Sequence, residues 1–423
     1  MLGDRSATIG RVSTDLPTRL YARSEPFTRS GLDVLRRLPG DPSDVAFLRQ
    51  GEGLVGSGVT ARLECRTAAE ADAWWTGLQI DHDDHTDGLA PGPLAFGSFL
   101  FDPDNTAENA VLQVPEWVIG RRRGQVWVTR ISATAMPTTS EVPPIGAPLQ
   151  GPGPITYSDG SLAAPQWESV VQTAVQRIRD GELAKTVLAR DLIARSGSPI
   201  DRRQVAHRLA QSYERCWTSI VDGWVGASPE MLLRRRDGLV TSRVLAGTIQ
   251  RTADATADLA LAAHLARSSK DLGEHDYAVA SVAEALAPWC SGMNVPDAPY
   301  VLELPNVFHL ASDVTGVARN GTTSLGLAAA LHPSAAVCGT PTATARAMIA
   351  EIEQLDRGRY AGPIGWMDPT GDGEWTIALR GGRIEGNLAR LYAGCGIVAD
   401  SDPAAELAES NAKLVPMREA LEG

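Results

Sequence analysis

Apolar residues recur at helical spacing through Trp167, Val170, Val171, Ala174, Val175 and Ile178, and Gly181 follows as a C-terminal stop. Further helices are predicted over 257–267, 270–287, 342–356 and 403–420. Between them run shorter stretches of strand character. GLVGSGVTARLEC, PLAFGSFLF and QVWVTRISA make the first third of the chain β-rich. AKTVLARDLIA, WVGASPEMLLRR, GLVTSRVLAGTI, VLELPNVFHLASDVTG and GEWTIALRGGRIEGNLARLYAGCGIV continue the pattern beyond it. Alternation in WTIALR puts Trp375, Ile377 and Leu379 on one face and Thr376, Ala378 and Arg380 on the other.

Hairpin-linked strands interrupted by helices predict an α+β fold, with large antiparallel sheets packed together and helices outside. The sharpest change in composition is MPTTSEVPPIGAPLQGPGP at 136–154, a Pro/Gly-rich connector. It separates a β-rich part, 1–150, from a second region, 155–423. Strands from both parts can share sheets, so one compact unit is expected. The first 40 residues carry no pattern that assigns them.

Composition narrows the function. With 43% hydrophobic and 21% charged residues the chain has the balance of a soluble protein with a large core. A net charge of -12 and a pI near 5.1 argue against nucleic acid as a partner. Five dispersed cysteines without CxxC spacing predict reduced thiols rather than disulfides or a zinc site. No signal-peptide core is visible, and no apolar run reaches the ~18 residues of a membrane span. A cytoplasmic protein with no membrane partner is expected.

Two acidic pairs stand out: Asp271 with Glu274, and Glu406 with Glu409. Each has i, i+3 spacing and so shares a helix face. Four acids brought together would repel unless a cation sat among them, and a hard oxygen-seeking ion such as Mg²⁺ suits that place. Spacing alone favours a plainer reading. Asp402 or Ser401 can cap the last helix, with Pro403 at its first position, and Ser268 with Asp271 resembles a capping box. Lys413, four residues after Glu409, offers an ion pair as well. HDDH at 82–85 reads as a solvated acidic loop. His309, His332 and His275 each read alone as core or rim histidines, and Lys185 as a surface lysine. Gly394 and Gly396 lack the strand–GxGxxG–helix setting of a dinucleotide fold, and neither a P-loop nor a GxSxG elbow is present.

LAKTVLARDL, GASPEMLL, SRVLAGTIQR, SSKDLGEHDYAVASV, VFHLASDVTG, LHPSAAVCGTPTATA, DRGRYAGPIGW, GEWTIALRGG and RLYAGCGIVADSDPAAELAESNAK, in this order, resemble the chorismate-utilising enzyme family. The resemblance runs from about residue 45 to the C-terminus and implies that family's fold, with the site between its sheets. It implies that Glu274 and Glu409 ligate Mg²⁺, with Asp271 and Glu406 around them. It implies that Arg380, Tyr360 and Lys413 hold the carboxylates of chorismate. Gly247, Thr248, His309, Ala311 and Gly396 would line the pocket. Chorismate is a dianion, so an ion can take one carboxylate while an arginine fork clamps the other. A monomer is implied.

The nucleophile divides this family. Members that deliver ammonia carry glutamine where this chain has Lys185; isochorismate and salicylate synthases deliver water and carry lysine. Lys185 is thus implied as the base that activates water, and Glu230 in ASPEML as the acid that protonates the departing C4 hydroxyl. Ala311, in HLAS, resembles the isochorismate-forming members, where salicylate-forming ones tend to carry glycine. The expected product is isochorismate, for menaquinone or siderophore synthesis; the alternatives are a salicylate synthase and, behind it, an ammonia-delivering relative or a non-catalytic chorismate-binding protein.

Overall fold

The computed structural model describes residues 16–27, 33–138, 143, 145–252, 254–303 and 307–423, apart from the side chains of residues 270, 271 and 274. Two large sheets dominate. One has 13 strands. It begins with Ile155–Asp159, Lys185–Ser196, Leu388–Ile397, Gly381–Glu385, Trp224–Ser228 and Trp217–Val221, and passes on to Val45–Arg49. The other has ten and is centred on Leu239–Gln250, Met231–Arg236, Gly373–Ile377, Pro363–Met367 and Ala95–Ser98. Both draw strands from either side of the Pro/Gly connector. Trp217–Val221 pairs with Val45–Arg49, and Pro363–Met367 with Ala95–Ser98. Residues 139–142 and 144 of that connector lie outside the described residues.

Among the described residues the helices are α1 (Ala68–Thr76), α2 (Ala164–Arg179), α3 (Arg202–Ser212), α4 (Ala255–Leu265), α5 (Ser269–Leu286), α6 (Ser324–Leu331), α7 (Thr342–Ile352) and α8 (Pro403–Glu422). The five predicted helices are α2, α4, α5, α7 and α8, displaced by a few residues at their ends. No helix among the described residues is long and apolar enough to cross a membrane. All five cysteines are buried and unbridged.

The chain changes sheet twice at neighbouring points. Trp224–Ser228 belongs to the 13-stranded sheet and Met231–Arg236 to the ten-stranded one, so residues 229–230 form one crossing. Gly373–Ile377 and Gly381–Glu385 make the reverse passage through 378–380. The crossings are bonded to each other. The Ile377 N–H donates to the Glu230 carbonyl at 3.2 Å, and the Ala227 N–H to the Arg380 carbonyl at 3.2 Å.

Two sequence expectations need correction here. The alternation through WTIALR ends early. Trp375, Thr376, Ile377 and Ala378 are all buried, because this central strand is covered on both faces, and beyond Ile377 the chain leaves the sheet. HDDH is also not a loop. Gln79–Asp84 is an edge strand pairing in parallel with Arg19–Pro26. Its alternate acids are neutralised there: Asp81 pairs with Arg19 at 2.8 Å and Asp83 with Arg23 at 3.0 Å.

Candidate active site

Lys185 opens the strand Lys185–Ser196, which pairs with Leu388–Ile397 from Thr186 onward. The neighbouring strand carries glycine beside two of the expected site residues. A Cβ on Gly396 would lie 2.9 Å from Lys185 Cε, and one on Gly394 3.0 Å from the Tyr360 hydroxyl. Both glycines therefore let a functional side chain lie flat over the strand. Tyr360 is itself buried and stacks on Tyr392, with ring centroids 5.0 Å apart.

Glu230 sits in the first crossing and Arg380 in the second. Arg380 holds φ +48°, a left-handed conformation that L side chains seldom adopt and that concentrates at functional sites. Glu230 keeps some accessible surface yet lies deep in the protein. Burial pushes its pKa up to about 7, against the pull of Lys185, Lys413 and Arg380. Those three cations act on it through space, and Lys413 is itself paired with Glu409. A carboxyl in that position is half protonated near neutral pH, which suits a proton donor.

His309 comes from the ten-stranded sheet. Opposite it, Gly247 at φ +79° forms a bulge that shifts the register of Leu239–Gln250. The bulge brings the Thr248 hydroxyl to 2.8 Å from His309 Nδ1. His309 Nε2 is buried without a partner among the described residues. Burial, with Arg380 and Lys413 adding to it, lowers the His309 pKa to about 3, so the ring is neutral. Ala311 lies two residues on, fully buried, paired with Leu245 and Tyr300. The plain reading of His275 and His332 stands. His275 is fully buried, with Nδ1 3.3 Å from the Ala246 carbonyl and Nε2 2.8 Å from Ser312 Oγ, and so ties α5 to the strands beside the bulge. His332 Nε2 meets the Phe101 carbonyl at 3.1 Å.

At the start of α8, Asp402 takes the capping role, accepting from the Ala405 N–H at 2.8 Å, with Pro403 in the first position. That leaves Ser401 free to donate to Glu406 Oε1 at 2.7 Å. Burial raises the Glu406 pKa, Ser401 opposes the rise and Glu409 adds to it. The ligating atoms of Cys395, Glu406 and Glu409 all lie within 4.8 Å of one another. Lys413 pairs with Glu409 at 2.6 Å and donates to the Gly394 carbonyl at 2.8 Å. The side chains of Asp271 and Glu274 fall outside the described residues; the helix that carries them, α5, packs against both strands around the Gly247 bulge.

Lys185, Glu230, His309, Arg380, Glu409 and Lys413 thus form one electrostatic neighbourhood around the two crossings. The sequence carries one further signal of this site. Of 39 Lys and Arg residues only three are lysines: Lys185, Lys270 and Lys413. A chain that uses arginine almost everywhere places two of its lysines at this site.

A model of the chorismate binding enzymes matches residues 147–422. The chain belongs to the chorismate-binding enzyme family. It is 33% identical over 375 residues to isochorismate synthase MenF of Bacillus subtilis (strain 168), covering 82% of this chain and 79% of that one. Against isochorismate synthase DhbC of the same organism it is 40% identical over 279 residues, covering 63% of this chain and 70% of that one. Among solved structures, MenF of Escherichia coli, described as a menaquinone-specific isochorismate synthase, superimposes with a TM-score of 0.81 at 25% identity, covering 97% of this chain and 96% of that one. The α+β family fold expected from the motifs is the fold observed.

Proposed function

We propose that this family member is an isochorismate synthase acting on chorismate. The observation that carries the reading is the pairing of one deeply set carboxyl, poised near pH 7, with a lysine rather than a glutamine at position 185. Water attacks C2 of the ring and gives its proton to Lys185. The ring double bond shifts, the C4–O bond breaks, and Glu230 supplies the proton with which the hydroxyl leaves as water. One water enters and one departs, so the reaction is an isomerisation. Arg380 and Lys413 hold the substrate's carboxylates, Tyr360 packs beside them, and neutral His309 offers Nε2 to a polar group of the ligand.

The residues present fit a hard divalent cation. Glu406 and Glu409 present carboxylate oxygens at one point, the donor type a hard ion takes. These two glutamates, with Asp271 and Glu274 from α5, are the residues that would hold Mg²⁺. A bound ion would take one substrate carboxylate and offset its charge. We further propose that the enzyme works in the cytoplasm as a monomer, supplying menaquinone or siderophore synthesis.

Incubating the pure protein with chorismate and Mg²⁺ and resolving the products by chromatography tests the reaction. Isochorismate alone is the expected outcome. Salicylate with pyruvate would make it a salicylate synthase. Anthranilate formed on adding ammonium would overturn the role of Lys185, and absence of turnover would leave a binding protein.

A further inference from the structure

The strand that begins at Lys185 has an incomplete neighbour. On one side Leu388–Ile397 pairs with it along its length. On the other, Gly339–Thr340 covers only Lys185 and Thr186, and Ile155–Asp159 covers only residues 192–196. Between them the outward-facing backbone groups are buried and meet no strand; the Val187 N–H reaches the Cys338 carbonyl at 2.8 Å, and the others are costly unless something else bonds them.

Side chains bond the Val187 carbonyl and both backbone groups of Ala189. Glu353 Oε2 accepts the Ala189 N–H at 2.7 Å, Arg357 Nη2 donates to the Val187 carbonyl at 2.7 Å, and Trp167 Nε1 donates to the Ala189 carbonyl at 3.0 Å. Glu353 and Arg357 are 1% and 4% exposed. They form a two-pronged pair, Nε to Oε1 at 2.6 Å and Nη2 to Oε2 at 2.5 Å. Arg357 also donates to the Val337 carbonyl at 3.1 Å and lies over the Phe101 ring at 4.2 Å. Its own carbonyl accepts the Tyr360 N–H at 2.8 Å. A buried ion pair is weak support for stability, since apolar residues of similar volume often serve as well. Apolar residues cannot bond a strand edge, whereas two planar, mutually locked groups hold it in one position.

We infer that Glu353 and Arg357 are positioning residues for the reaction: together they stand in for a missing strand, fixing the strand that carries Lys185 and, through the Arg357 backbone, the turn that carries Tyr360. The inference rests on the reading of Lys185 as base. Its test separates the two ideas. The variants are Glu353→Gln and the double change Glu353→Leu with Arg357→Met, which leaves no lone buried charge. Each is assayed well below its own melting temperature. Misplacing a base by about 1 Å predicts kcat lower by roughly a hundred-fold, with KM for chorismate within about three-fold of wild type. The limb of the kcat–pH profile that reports the base should move. Because the chain has only three lysines, acylation of Lys185 as a function of pH can be followed by peptide mass spectrometry. That profile should shift from the wild-type one in both variants, with no substrate present. A double variant with wild-type kcat and wild-type Lys185 acylation would overturn the inference, as would activity lost only in proportion to unfolded protein. If the double variant does not fold, Glu353→Gln carries the test. If wild-type protein makes no isochorismate, the function fails, while an unshifted Lys185 acylation profile would still refute the positioning.

Discussion

Asp222 and Glu230 lie eight residues apart on one stretch of chain, both are drawn into the protein, and they end in opposite states. Burial alone would raise either pKa. At Asp222 the guanidiniums of Arg359 and Arg62 outweigh burial and pull the value down to about 2. Arg62 bonds it at 2.7 Å and Arg359 closes on it from the other side. At Glu230 three cations act only across space, and burial wins, lifting the value to about 7. Direct contact with a forked cation makes Asp222 a permanent anion that fastens a hairpin tip. Withholding that contact keeps Glu230 able to exchange a proton.

Exchanging carboxylate for amide breaks the comparison at both ends. Glu230→Gln should lower kcat by about a thousand-fold while chorismate binding changes little, because only the proton donor is lost. Steady-state rates and ligand titration check this. Asp222→Asn should leave kcat per folded molecule near wild type but cost about 2 kcal/mol of stability, because Arg62 and Arg359 lose their shared anion and keep only Glu64 and the Asn109 carbonyl. Denaturant unfolding with a parallel activity assay reads both.

The pH dependence of stability should have opposite signs at the two residues. The Glu230 value lies above the ordinary 4.5, so its contribution is present below pH 4.5 and lost as pH rises through about 7. The full loss is at most about 3 kcal/mol. The stability of wild type relative to Glu230→Gln should therefore fall from pH 5 to 8, since the variant lacks this one titration. Asp222 contributes stability that is complete above pH 3.8 and is lost as pH falls through about 2. The smallest effect is expected at Ser401→Ala. It removes one hydrogen bond from Glu406, costing about 1 kcal/mol, and shows as weaker Mg²⁺ binding in calorimetry with unchanged product.

The same pair shows what was legible in the sequence. Asp222-Gly223, with φ +48° and +84°, is a two-residue hairpin turn between strands, and an Asp-Gly step is its ordinary signal. The reach of Arg62 and Arg359 to that turn is tertiary and left no local trace. Helix α8 was legible because Asp402 and Pro403 mark its start. Helix α6, SLGLAAAL, was not, because it is apolar all round and shows no helical period. The crossing at 378–380 was hidden by an alternation that ran straight through it. The site residues were named by resemblance; three lysines in 423 residues would have pointed to two of them without it.

The most direct test of the account is to run the reaction in ¹⁸O-labelled water and analyse the product by mass spectrometry. Solvent attack at C2, with Glu230 sending the C4 hydroxyl off as water, predicts isochorismate carrying a solvent oxygen at C2 and none elsewhere. Isochorismate that retains the substrate's own oxygen, or label absent from C2, would contradict water as the nucleophile and with it the roles of Lys185 and Glu230.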